Sequence, residues 1–390
     1  MGGAARSVDR SSAASHLRRG GSGNAPVILP PLVLIALGLI LLVAGAELLV
    51  RGSVRLAGAA GLSPMVIGLT VVSLGTSSPE LGVSLQAALA GDDGLAIGNV
   101  IGSSIFNLTF LLGIGAVVTP LLVKQRLVRI DVPILIGLVA VLWVMSLDGR
   151  IGRLEGLLLL AGGAGYSILV VRVEGAESPD VRAEYDRALQ EAGGRSLVPL
   201  GRAVFPVVLG LVGLVAGGRW MVEGAAQVAR DLGIDELIIG LTLVAVGTGL
   251  PEVAATVLAA IRREPDLAVG NAIGSSIYNV LIILGVSAAA APRGLSVAPS
   301  GIWFDIPVLS LAALLCVPVF LWGGRVTRGE GLLLLGFYLG YLGVLVRTAH
   351  LQTALTGPSM ELVLFLVPPL AFLGVVFLDA GLRRRVNRIG

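Results

Sequence analysis

The chain has little charge, one cysteine and two histidines. Asp, Glu, Lys and Arg make up 14% of its 390 residues, against about 25% in an ordinary soluble domain. The single cysteine, Cys316, excludes an internal disulfide and a cysteine metal cluster. The histidines, His16 and His350, lie in the N-terminal tail and near a loop, so neither is placed for a histidine relay or a zinc site.

What the chain has in abundance is hydrophobic sequence, which makes up 55% of its residues. Runs of about 20 apolar residues, long enough to cross a bilayer, recur along most of its length. The sequence therefore predicts a polytopic membrane protein. We count eleven candidate spans: 27–49, 64–90, 95–119, 130–147, 154–173, 203–222, 237–261, 267–290, 302–322, 330–347 and 360–380.

Two polar segments frame the predicted topology. Residues 1–26 are Gly- and Ser-rich, which predicts a disordered tail, and residues 174–202 form the only long hydrophilic loop. If this loop is cytoplasmic, most of the 28 lysines and arginines fall on the cytoplasmic side. We therefore expect an outside N-terminus and a cytoplasmic C-terminus, although the basic N-terminal tail argues for the opposite. These scattered arginines explain the high pI without a nucleic-acid partner.

The sequence repeats itself at an offset of 172 residues. GLTVVSLGTSSPE at 68–80 recurs as GLTLVAVGTGLPE at 240–252, and GNVIGSSIFN at 98–107 recurs as GNAIGSSIYN at 270–279. Each copy contains five spans, so the second copy must enter the membrane upside down, a pattern typical of secondary transporters. The predicted units are residues 27–173 and 203–347, with an additional span and a basic tail in residues 348–390.

Each copy carries a proline and a glutamate inside an apolar span. Pro79 cannot donate to the carbonyl of Gly75, so we expect the carbonyls from Ser73 to Thr76 to have fewer intrahelical donors. In a membrane such groups must be buried in protein or line a cavity, and as hard oxygen ligands they suit Na⁺ or Ca²⁺.

The glutamates Glu80 and Glu252 are the strongest functional signal. A charge at bilayer depth costs about 2.5–3.5 kcal/mol on insertion scales, and a bound cation offsets that cost. A single such glutamate could belong to a simple kink, but two in register favour an ion site. The asparagines Asn99 and Asn271 have a competing interpretation as helix caps. Glu47 is left out because Arg219 stands at its place in the second copy.

The paired motifs resemble the two alpha repeats of the calcium/cation antiporter superfamily, in particular its prokaryotic sodium/calcium exchanger branch. The resemblance covers about residues 31–347. It implies a ten-helix core with four ion sites at mid-membrane, between the second, third, seventh and eighth helices. We therefore expect an all-α polytopic membrane protein with two inverted five-helix repeats and an extra C-terminal transmembrane helix.

The resemblance also implies which residues hold ions. Calcium would lie between Glu80 and Glu252, with the carbonyls of Thr76 and Thr248 completing its shell. Further ion contacts are implied for Ser77, Ser103, Ser275, the carbonyls of Ser73 and Ala245, and the amides Asn107 and Asn279. Two residues depart from the family pattern and weaken the case for three-sodium coupling. Asn279 stands where some relatives have an aspartate, and Gly249 stands where the motif has a serine.

The leading functional hypothesis is a Na⁺/Ca²⁺ antiporter that exports Ca²⁺ by alternating access, with both ions competing for the paired glutamates. An H⁺/Ca²⁺ antiporter on the same fold is the alternative, because two desolvated carboxylates in one site can compete for a proton. A cation channel fits an inverted repeat less well. An enzyme is not expected, nor is a cofactor, since the ions are substrates. We expect a multi-pass plasma-membrane (inner-membrane) protein whose functional unit is the monomer.

Overall fold

The computed structural model describes residues 30–174, 200–232, 245–321 and 324–351, and these are almost entirely helical. In chain order the helices are α1 (Pro31–Ala60), α2 (Pro64–Thr76), α3 (Ser78–Ala90), α4 (Asp93–Val118), α5 (Leu127–Ser146), α6 (Arg153–Glu174), α7 (Leu200–Asp231), α8 (Ala245–Thr248), α9 (Leu250–Ile261), α10 (Pro265–Ala290), α11 (Gly301–Phe320) and α12 (Arg328–Leu351).

Eight of these helices are long and apolar enough to cross a membrane, and α2 with α3 forms a ninth, bent span within the described residues. This agrees with the predicted polytopic helical fold. The predicted tail 1–26, most of the loop 174–202, residues 237–244 of the seventh span and the eleventh span 360–380 lie outside the described residues. The extra C-terminal helix therefore stays a prediction.

The proline breaks the helix where the sequence predicts it. The axes of α2 and α3 differ by 46°, and the residue between them, Ser77, has φ −80° and ψ 10°. In the second copy Gly249 separates α8 from α9 with nearly the same backbone, φ −81° and ψ −2°. The repeated sequence thus produces nearly the same backbone conformation at the break in both copies.

The first and sixth spans are longer than predicted and pack along each other through glycines. α1 continues to Ala60 and α7 to Asp231. A Cβ at Gly45 would lie 2.8 Å from the carbonyl oxygen of Gly210, and one at Gly38 would lie 2.7 Å from that of Gly217. These glycines let the two backbones touch, which is the common way that helices associate in lipid.

Four short strands tie the two copies together. β1 (Leu121–Leu122) pairs antiparallel with β4 (Arg325–Val326), and β2 (Arg150–Ile151) pairs antiparallel with β3 (Leu295–Ser296). One membrane span, α5, separates β1 from β2, so the two pairs lie on opposite faces. Each face therefore joins a loop of one copy to a loop of the other, as an inverted repeat requires.

Helix α10 lies at the centre of the fold. Every residue from Leu267 to Tyr278 in this helix is buried, and it packs against α2, α4 and α9. The helices that carry the two repeated motifs therefore meet in the interior, with α6 packed on α10 and α12 packed on α4.

Candidate ion-binding site

Glu80 and Glu252 each occupy the first turn of a helix that begins at the break. Glu80 is 2% exposed and Glu252 is 1% exposed. A helix N-terminus carries partial positive charge and N–H groups without intrahelical acceptors, which stabilises a carboxylate there. The proline therefore does two things: it bends the span, and it starts a new helix whose N-terminus faces the protein interior.

The two copies exchange hydrogen bonds across the break. The Ser77 hydroxyl donates to Glu252 Oε1 at 3.0 Å, and the Thr248 hydroxyl bonds the Glu80 carboxylate. The two carboxylates are close enough to repel each other, and Oε2 of each is buried without a hydrogen-bond partner. Two buried carboxylates with free oxygens at short range form an arrangement that a divalent cation stabilises.

The asparagines at the end of each repeated motif reach the same region of the core. Asn107 is 2% exposed and Asn279 is 0% exposed, and each begins a π-helical turn, Asn107–Leu111 and Asn279–Leu284. Neither Nδ2 nor Oδ1 of Asn279 has a hydrogen-bond partner. A buried polar group without a partner costs about 1–3 kcal/mol, so this amide is set up to bind something other than protein. Wide helical turns of this kind are frequent at functional sites.

The other pair of asparagines connects the helices around the site. Asn99 Nδ2 donates to the backbone carbonyl of Glu80 at 3.1 Å and to Ser84 Oγ at 2.8 Å. Asn271 Nδ2 donates to Thr256 Oγ1 at 3.1 Å, and its Oδ1 accepts from Thr76 Oγ1 at 3.2 Å. Both side chains bridge neighbouring helices and lie within α4 and α10, so neither is the helix cap suggested by the sequence.

The remaining predicted contacts differ in their surroundings. The Ser73 hydroxyl donates to the carbonyls of Gly68 and Asn271 at 2.7 and 3.1 Å. Its own carbonyl accepts the Ser77 N–H at 3.0 Å, so the expected lack of donors does not extend to Ser73. Ser275 is buried and Ser103 is half-buried. Ala245 is the first residue of α8.

A phenylalanine explains why Gly249 replaces the serine of the motif. A Cβ at position 249 would lie 2.9 Å from Cε1 of Phe106, well inside ordinary contact distance. The Phe106 ring is held by Phe110 at 4.8 Å and by Tyr338 at 5.4 Å between ring centroids. The ring therefore takes the space that a serine side chain would need, and the site has one hydroxyl fewer near Glu80 than near Glu252.

The ligand set of the site consists of two carboxylates and several neutral oxygens. In the part of the chain that the structure describes, no Lys, Arg or His pairs with Glu80 or Glu252, and no cluster of three or more His, Cys, Asp or Glu is present. Ca²⁺ takes six to eight oxygens in flexible geometry. This set of ligands fits a hard cation that few charged groups hold. Such weak holding suits an ion that is transported.

A family model described as sodium/calcium exchanger protein matches residues 30–171 and 203–347. The chain belongs to this family. The two matched segments coincide with the two halves of the fold. The family is one of membrane exchangers and not of enzymes. Membership confirms the resemblance seen in the motifs.

Two relatives are similar to this chain over most of their length. The sodium/calcium exchanger MaX1 of Methanosarcina acetivorans is 32% identical over 345 residues, covering 80% of this chain and 97% of that protein. The inner membrane protein YrbG of Escherichia coli is 33% identical over 295 residues, covering 73% of this chain and 87% of that protein.

A solved structure of the same family has a similar fold. The sodium-calcium exchanger NCX_Mj, soaked with 10 mM Na⁺ and without Ca²⁺, is 29% identical and matches with a TM-score of 0.70, covering 80% of this chain and 98% of that chain. The same protein soaked without Na⁺ and Ca²⁺ matches equally well, with a TM-score of 0.70. The inverted helical architecture predicted from the sequence is therefore confirmed.

Sequence reasoning missed two features of this exchanger's site. The first is the pair of π-helical turns that begin at Asn107 and Asn279, because the motif alone does not distinguish a π-helical turn from an α-helical one. The motif by itself assigns no role to Phe106, although its offset of 172 residues from Tyr278 marks it as an aromatic position in both copies. The glycine at position 249, where the motif has a serine, is the signal in the sequence that could have indicated a bulky neighbour such as Phe106.

Proposed function

We propose that the protein exchanges Na⁺ for Ca²⁺ across the plasma membrane by alternating access and exports Ca²⁺. Both ions compete for Glu80 and Glu252, so that one ion must leave before the other binds. Thr76 and Thr248 supply carbonyl oxygens to Ca²⁺. Sodium uses the oxygens of Ser73, Ser77, Ser103, Asn107, Ala245, Ser275 and Asn279.

The observation that carries this proposal is the pair of buried glutamates with unpartnered oxygens. Each Oε2 lacks a hydrogen bond and no basic residue among those described neutralises either carboxylate. Two like charges buried together are unfavourable unless a cation or a proton joins them. The similarity to MaX1 and NCX_Mj, both named sodium/calcium exchangers, supports the choice of ions.

The test is ⁴⁵Ca²⁺ uptake into liposomes that contain the purified protein and are loaded with Na⁺. Uptake should require the outward Na⁺ gradient at clamped pH and voltage. Glu80→Gln and Glu252→Gln should each abolish it while the protein stays folded. Wild-type uptake rates in either variant would contradict the proposal.

Glu330→Gln is the matched control. Glu330 also lies in the first turn of a membrane helix, where its Oε2 accepts from the backbone N–H of Thr327 at 2.7 Å, and glutamine can accept the same bond. This variant should transport at the wild-type rate. A loss of uptake equal to that in Glu80→Gln would show that the assay reports general damage to helix starts.

The second candidate is H⁺/Ca²⁺ exchange at the same site. It is favoured by the two departures in the Na⁺ ligands, Gly249 and Asn279, because fewer oxygens near Glu80 make Na⁺ a poorer competitor. In the same liposomes, uptake that follows an outward proton gradient and ignores Na⁺ would select this candidate. Uptake that ignores the pH gradient would exclude it.

A further inference from the structure

An ion pair joins α1 to the end of the helix that carries Glu252. Arg262 directly follows α9, and its guanidinium donates to both oxygens of the Glu47 carboxylate, with Nε 2.9 Å from Oε2 and Nη2 in contact with Oε1. Arg51, one turn further along α1, contacts the same Oε1. The paired geometry of a guanidinium on a carboxylate is the most directional ion pair that side chains form.

Next to this ion pair lies a seam between α1 and the helices that carry the second motif. The seam is formed by α1 against α9 and α10, and it contains a small cavity lined by Leu49, Val50, Ser53, Ala255, Ala259 and Asn271 among others. Ser53 Oγ is fully buried there without a hydrogen-bond partner. Asn271, on the opposite wall, reaches Thr76 at the site. Two polar side chains, Ser53 and Asn271, therefore face an otherwise apolar cavity between α1 and the residues around the site.

The ion pair exists on one face only. At the offset of 172 residues, Glu47 corresponds to Arg219 and Arg262 corresponds to Ala90, so the inverted copy cannot form the same pair. The face with Arg262 is the one predicted to be cytoplasmic from the distribution of arginines. The chain thus departs from its own symmetry at the point where α1 meets the end of α9.

We propose that Glu47 and Arg262 form an electrostatic latch that holds α1 against this cavity and sets how often the cavity opens to the inner face. The inference rests on the proposed function, because only a carrier that alternates needs this seam to open. The Glu47 side chain is 23% exposed and the Arg262 side chain 46% exposed. A partly exposed ion pair is weak, so it can break and reform in every cycle.

The test measures access to the seam directly. In a Cys316→Ser background, which removes the only native cysteine, Ser53→Cys places a thiol in the cavity wall. A membrane-impermeant methanethiosulfonate is applied to inside-out and right-side-out vesicles in choline buffer. Glu47→Gln and Arg262→Gln should each speed modification of the introduced thiol from the inner face by about two- to fivefold, the range expected for losing such a pair.

The charge swap and a control variant separate the latch from a structural role. Glu47→Arg combined with Arg262→Glu should return the rate to the starting value, since the new carboxylate faces two arginines. Asp266→Asn breaks another ion pair of the same face, Lys124 Nζ to Asp266 Oδ2 at 2.9 Å, which does not involve α1, and should leave the rate unchanged.

Several results would overturn the latch. They are an unchanged rate in Glu47→Gln and Arg262→Gln, a swap that fails to restore the rate, or an equal acceleration in Asp266→Asn. Melting temperatures measured in parallel show whether a single variant is merely unfolded. If it is, the rate measured in the charge-swap variant decides whether the latch exists. Modification of the thiol needs no transport. If the wild-type protein fails to take up Ca²⁺ in response to a Na⁺ gradient, the proposed function is refuted, but the modification rates can still be interpreted.

Discussion

Restoring the serine that the family motif has at position 249 tests the account of the site most sharply. The structure predicts that Gly249→Ser introduces a clash, since its Cβ would lie 2.9 Å from Phe106 Cε1. The ring cannot simply move away because Phe110 and Tyr338 pack against it. Overpacking of this kind costs about 1–3 kcal/mol. We therefore expect Gly249→Ser alone to be destabilised by about that amount.

The clash disappears when the ring is removed. Phe106→Leu by itself loses ring contacts worth about 0.5–1.5 kcal/mol each. In the double variant the serine has space, so only the Phe106→Leu loss remains. The double variant should therefore be about 1–3 kcal/mol more stable than the sum of the two single losses predicts. Unfolding free energies of the four proteins in detergent micelles measure this coupling.

The same four proteins test the role of the hydroxyl. In the first copy Ser77 donates to the opposite glutamate at 3.0 Å, and a serine at 249 would add the equivalent oxygen beside Glu80. If Na⁺ uses it, the double variant should reach half-maximal exchange at about tenfold lower Na⁺ than Phe106→Leu, which corresponds to about 1.4 kcal/mol. A coupling below about 0.5 kcal/mol would refute the steric argument, and an unchanged Na⁺ requirement would refute the role of the hydroxyl.

Three further predictions follow from single contacts. Gly45→Val should lower the unfolding free energy by about 1–3 kcal/mol, because its Cβ meets a carbonyl of α7. Gly137→Ala, whose Cβ meets open space, should not lower it. Melting temperatures in detergent compare the two variants. Tyr166→Phe removes the hydroxyl that donates to the buried Asp131 at 3.0 Å and should cost about 1.5–3 kcal/mol in the unfolding free energy; no loss would mean that the bond contributes nothing. Asn279→Asp adds a carboxylate at an unpartnered buried position among the proposed Na⁺ ligands and should lower the Na⁺ concentration for half-maximal exchange about tenfold; an unchanged or raised concentration would place this residue outside the Na⁺ sites.

The sequence by itself determined the architecture and the centre of the site. Helical spans in lipid must satisfy their own backbone groups, so apolar length alone located them. An odd number of spans in each copy forced the inversion. A glutamate placed after a proline in two apolar spans also has few interpretations, because a buried charge needs a partner. These conclusions depend on local chemistry that every copy of the motif repeats.

Only the tertiary structure decided how the two copies differ. The Glu47–Arg262 pair joins residues far apart in sequence. A comparison of the two copies does not predict it, because the other copy has no equivalent pair. The structure also decided that Phe106 fills the space beside Gly249. It showed that the equivalent residues Asn99 and Asn271 both bridge helices instead of capping them. A repeat predicts what both halves share, whereas contacts between side chains of different helices depend on packing. The features that break the symmetry of this exchanger are of that second kind.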